Sequence, residues 1–281
     1  MEIRSALLRP IDMDYPDNRI IIYLSTVIFV VAISFHILSG KHLSEVIIWA
    51  GRSALSIFFA WALTKEIDPD NPPAALIAAG LGVCCLLFLE IPFILPLVLL
   101  LFLFRITNRT SGIIPTLFDS ILILLTGIFL IYTGNWIQGV LMTFAFFMDA
   151  RLNEPIKRHF IFAFICLIIS LFVLYESNLK ILFVSQYQIF ILLLLIVFSI
   201  VKIINAEIPR TLSDVKSKPL LKERIIATRM IALLAGLLTL FAGLNSLSSI
   251  FPLWAAIGGS TTYYIYKKSN EEELVSIIQL K

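Results

Sequence analysis

Charge is scarce in this chain. The 22 Lys and Arg and 19 Asp and Glu residues amount to 15% of 281 positions and leave a net charge of +3. Polar stretches stop at about twenty residues, which leaves no room for a separate polar domain. Cysteine is scarcer still: Cys84, Cys85 and Cys166 all fall in apolar segments, which excludes a disulfide framework or an iron–sulfur ligand set and leaves buried apolar thiols. His36, His42 and His159 show no zinc-ligand spacing. Absent too are the glycine-rich phosphate loop, the dinucleotide fingerprint, the serine nucleophile elbow and the paired-histidine zinc motif. No basic surface interleaved with aromatics is present, so nucleic acid is excluded as a partner.

What the chain has in excess is apolar side chain, at 59% of residues and a mean hydropathy of +0.95. It comes in blocks of roughly membrane-spanning length, which points to an all-α, polytopic transmembrane helix bundle. Alternation of the kind a β-barrel needs is missing from runs such as 181–201. Ten segments are expected: 20–38, 43–64, 73–89, 92–107, 117–133, 136–148, 159–175, 181–201, 225–247 and 250–266. Nine is the alternative, with 73–107 as one element broken around Glu90, Pro92 and Pro96. Placing both termini in the cytoplasm puts 18 of the 22 basic residues on that side. Lys41 and Lys180 then face outward, while Arg52 and Arg229 lie within helices. The expectation is thus a single membrane domain over 1–281, located in the cell membrane as a multi-pass protein. Residues 1–19 and 267–281 are its cytoplasmic ends, and 20–266 form the bundle.

The inner loops hold the candidate site residues. Glu66, Asp68 and Asp70 crowd the end of the second helix, where carboxylates oppose the helix dipole. Asp68 and Asp70, two apart and followed by Asn71, suit Mg²⁺, which takes oxygen ligands. They read equally as cap-then-proline starts of the next helix. Asp149 stands at the matching end of the sixth helix and would complete the metal set if the two helices adjoin. Aligning Pro155 with Pro72 sets Asp149 against Glu66, a pattern suggestive of duplication. Arg105, Asn108 and Arg109, with Thr110 and Ser111, form a group suited to phosphate, since guanidinium forks match its oxygens. Arg151 joins this substrate-binding set. Asp119, three beyond Thr116, has capping-box spacing and is assigned to structure. Small residues at Ala74, Ala78 and Gly82, at Ala232 and Gly236, and at Ala255 and Gly259 mark packing seams. Arg52, about ten residues from either end of its helix, is expected to face the bundle interior and bind ligand.

In layout the chain resembles the UbiA-type intramembrane prenyltransferases, whose acid-rich motifs also follow the second and sixth helices. Their first motif, Asn-x-x-x-Asp-x-x-x-Asp, is absent: Glu66, Asp68 and Asp70 stand too close together, and Asp149 alone occupies the second position before Arg151. Family membership is therefore not assigned. The function expected first is an enzyme acting with Mg²⁺ on a lipid-linked phosphorylated substrate, with membrane lipid as its surroundings. A transporter or channel for a small solute is the second reading, and a structural or assembly subunit of a membrane complex the third.

Overall fold

The structure, a computed structural model, describes residues 5–38, 42–176, 186–215, 218–241 and 250–279. The links between segments 20–38 and 43–64, 159–175 and 181–201, and 225–247 and 250–266 lie largely outside them, with Lys41 and Lys180. Ten α-helices stand among the described residues: α1 Pro16–Leu38, α2 Leu43–Ile67, α3 Pro72–Leu86, α4 Ile94–Asn108, α5 Leu117–Tyr132, α6 Trp136–Arg151, α7 His159–Glu176, α8 Gln186–Ile204, α9 Lys222–Phe241 and α10 Phe251–Gln279. Proline opens α1 and α3, where its missing N–H costs nothing. Thr116 and Asp119 cap α5 reciprocally through side chains and backbone, as their spacing suggests.

The core is built where small residues let helices close in. A Cβ on Gly259 of α10 would come within 2.6 Å of the Ala78 amide nitrogen and 2.7 Å of the Ala74 carbonyl oxygen, so α3 and α10 touch backbone to backbone. Gly236 of α9 faces the Trp254 ring of α10, and Gly82 faces Ile57 and Ala60 of α2. α4 lies between α2 and α6 and buries Leu97, Leu99, Leu100, Leu103 and Phe104 there. Because α3 is only 15 residues long, the link to α4 returns level with the middle of α2. Arg52 meets it there.

The all-α bundle of ten packed helices agrees with the sequence, and 73–107 forms two helices, not one. The transmembrane expectation is overturned. Among the described residues, only Pro16–Ile37 and Leu43–Ile67 are long and apolar enough to cross a membrane. α3, α4 and α5 are apolar but have 15 or 16 residues. That is about 22–24 Å of helix, against about 30 Å of bilayer hydrocarbon. Hydropathy records how apolar a segment is and not what covers it, and here Leu97, Leu99, Leu100, Leu101 and Leu103 of α4 are covered by neighbouring helices. With the ten crossings gone, the cytoplasmic assignment of both termini, the multi-pass cell-membrane location and membrane lipid as partner lose their basis. Some apolar surface remains uncovered, including Val30 of α1, Leu125 of α5 and Phe164 of α7. Trp61 is buried, with the Lys65 ammonium 5.5 Å from its ring.

Candidate functional site: a cationic cavity beside buried ion centres

Helix ends gather at one end of the bundle and bring their charges with them. Glu66, at the end of α2, is 1% exposed. It accepts hydrogen bonds from Arg105 Nε at 3.0 Å, Asn108 Nδ2 at 2.8 Å and the Thr110 hydroxyl at 2.6 Å. Burial alone would raise its pKa, but Arg105, Arg9 and the two polar donors pull it below the ordinary 4.5. Asp149, at the end of α6, is fully buried. Its Oδ1 accepts from Arg109 Nη2 at 2.9 Å and Arg224 Nη1 at 2.8 Å, while Oδ2 lies 2.7 Å from His159 Nδ1. Burial opposes ionisation here too, and His159, Arg109 and Arg224 together hold the carboxyl below 3.8. The two acids aligned by the duplication pattern thus share one plan: a buried carboxylate answered by an arginine from the end of α4.

The arginines are doubly employed. Arg224 Nη1 donates to the Thr107 carbonyl at 2.9 Å, and Arg229 Nε to that of Ile67 at 3.0 Å, so each neutralises the carbonyl end of a helix. Arg109 itself is left-handed, at φ 55°, and so is Glu154, at φ 58°. The Arg109 side chain donates to the Glu154 carbonyl at 2.8 Å, tying the two unusual backbones together. His159 Nε2 lies 2.7 Å from the Ser120 hydroxyl, which also donates to the Thr116 carbonyl at 2.9 Å. Ser120, His159 and Asp149 are all buried and link α5, α6 and α7.

The third centre opens to a cavity. Asp68 follows α2 and is bonded to Lys202 of α8, whose ammonium also donates to the Ser260 carbonyl at 3.1 Å and hydroxyl at 2.6 Å. Arg229 lies 3.7 Å from Asp68 Oδ1. Burial lowers the Lys202 pKa to about 8; Asp68 resists the shift, and Arg229 and Lys267 add to it. The cavity beyond holds about 360 Å³, within the range of small-molecule sites. Lys202, Arg210, Lys222, Arg229, Lys267 and Lys268 line it, against Asp68, Asp70 and Glu207. Six cations against three acids leave a net of three positive charges. Asp70 is moreover spoken for, accepting from the Arg210 and Thr211 amides at 3.0 and 2.8 Å and from the Thr211 hydroxyl at 2.6 Å. That clasp fixes the strap of residues 205–215, whose Leu212 forms an isolated bridge with Pro219.

Of the residues expected to bind metal, Asp68 and Asp70 share this cavity, while Asp149 belongs to a different ion centre. Among the described residues no group of three or more His, Cys, Asp and Glu side chains is placed to hold a metal ion. Of those expected to bind substrate, Arg105 and Asn108 join Glu66, and Arg109 joins Asp149. Arg151 is exposed and stacks 5.7 Å from the Phe147 ring. Arg52 donates to the carbonyls of Ile91 at 2.6 Å and Pro92 at 3.0 Å and lies 4.6 Å from the Phe93 ring. None of these five lines the cavity. Lys202, Lys222, Arg210 and Arg229 do; the sequence marked the first three only among its cytoplasmic basic residues and Arg229 as lying within a helix. The spacing of Lys202 from Asp68, 134 residues, carries no local signal.

The functions expected from the sequence are overturned with this geometry. An enzyme working on a lipid-linked phosphate loses the many-span bundle that it rested on. The transporter and the membrane-complex subunit were read from the same many-span expectation. The buried acids instead neutralise cations of the same chain. No family model matches the chain, and neither a curated protein nor a solved structure matches it, so the likeness in layout to the prenyltransferases gains no support.

Proposed function

We propose that this protein binds a small, multiply charged anion, a phosphate ester or an organic polyacid, in the cavity between α8, α9, α10 and the 205–215 strap. The carrying observation is the six-to-three excess of cationic side chains around about 360 Å³ of space. Low-dielectric walls strengthen such a field, and each charge-assisted hydrogen bond to a bound oxyanion contributes about 1.5–3 kcal/mol. Lys222 and Arg210 approach from different elements, α9 and the strap, so a ligand bonded to both would also hold the strap in place. Titration calorimetry with inorganic phosphate and with citrate tests the reading. Saturable binding is expected, weakened by salt and reduced about ten-fold or more by Arg210→Gln with Lys222→Gln. Absence of saturable binding of either anion, or affinity indifferent to both substitutions, overturns it.

A further inference from the structure

We propose that Lys202 is a reacting amine, which condenses with the carbonyl group of a small keto or aldehyde acid held in the cavity. This rests on the anion-binding reading, since the acid group is what the surrounding cations would hold. Three features single Lys202 out from the other lysines of the wall. It lines both the large cavity and a second, smaller one behind it that is walled by Ile67, Ala232, Leu233 and Ile257. A carboxylate, Asp68, and a hydroxyl, Ser260 Oγ at 2.6 Å, both touch its nitrogen, so proton carriers are in place. Ser260 Oγ also lies 3.5 Å from Asp68 Oδ2, which links the two carriers.

The chemistry balances with these groups alone. One ammonium proton passes to Asp68, and the freed lone pair adds to the carbonyl carbon while the carbonyl oxygen takes that proton back. A second proton follows the same route to the resulting hydroxyl, which leaves as water. The third stays on nitrogen as an iminium. The iminium keeps the positive charge that faces Asp68, so the reaction leaves no buried carboxylate without a partner. Burial assists, because with a pKa of about 8 about one lysine in ten is already neutral at pH 7.

Pyruvate with sodium cyanoborohydride, followed by peptide mapping, reads the proposal on the full chain. The expected result is a carboxyethyl group on Lys202 ahead of Lys222, Lys267 and Lys268. Inorganic phosphate should compete with it, and Asp68→Asn should slow it about ten-fold or more. Lys202→Arg, which keeps the charge opposite Asp68, should abolish that adduct. Adducts spread over the other lysines with none favoured at Lys202 overturn the proposal, as does labelling unchanged in rate by Asp68→Asn. Phosphate binding without an adduct defeats this inference alone; an adduct at Lys202 without anion binding defeats only the reading of the cavity.

Discussion

Replacing Asp149 by asparagine keeps the shape of the side chain and removes one charge from a place where two guanidinium groups and an imidazole converge. Arg224 is 2% exposed and Arg109 7%, so neither can turn to water for a substitute. Removing one partner of a buried ion pair costs about 3–5 kcal/mol. The lower end applies, because Arg224 retains the carbonyls of Thr107 and Asn153 and Arg109 retains Glu154. A loss of about 3 kcal/mol corresponds to a fall in Tm of about 6–12 °C for a domain of this size. Urea unfolding of Asp149→Asn, Arg224→Met and the double variant measures it, with a coupling of about 1–3 kcal/mol expected between the two sites. The pH dependence supplies a second readout. The folded carboxyl is held below 3.8, so its stabilisation is present above that value and is lost as pH falls through the lowered folded value. Asp149→Asn should lack that step. A loss under about 1 kcal/mol, the worth of an exposed pair, would refute the account of a buried centre.

Gly259→Ala should destabilise by about 1–3 kcal/mol, because the added methyl meets backbone atoms of α3 that cannot step aside. Gly51→Ala, with nothing within 4 Å of the new Cβ, should instead stabilise by about 0.5–1 kcal/mol; chemical denaturation that ranks the two the other way would contradict the packing described. Lys202 has a folded pKa of about 8 against an ordinary 10.5, so the unfolded chain holds more protons between those values. Stability should therefore gain a contribution as pH rises from about 8 to 10.5 that Lys202→Met lacks, and identical pH profiles for the two proteins would count against the buried ammonium.

The helices were legible in the sequence because apolar blocks and their breakers are local. Segments 117–133 and 159–175 correspond to Leu117–Tyr132 and His159–Glu176, and Pro72 and the Thr116–Asp119 pair mark true helix starts. The surroundings of those helices were not legible, because a leucine facing a neighbouring helix and a leucine facing lipid read alike in hydropathy. The candidate site divides in the same way. Asp68 and Asp70 stood out as an acidic cluster, yet what gives Asp68 its character is Lys202, 134 residues away. Arg52 carried a real signal, an arginine amid apolar residues, but its partners are backbone carbonyls of the α3–α4 link, which have no signature in side-chain sequence.

Residues 5–9 are bonded to residues far along the chain. Ser5 donates to Asp119 at 2.6 Å, the Leu7 carbonyl accepts from Arg105 at 2.5 Å, and Arg9 reaches Asp214 at 2.6 Å, with Ala6 and Leu7 buried beneath. A ribosome delivers these residues ahead of the groups that receive them, which emerge some one hundred and two hundred residues later, at about 5–20 residues per second. The leading segment must therefore wait, for several seconds or more, with two apolar side chains uncovered. Its docking on Asp214 can come only after α8 has been made, which makes it a late event in assembly and an exposed stage for proteases and chaperones until then.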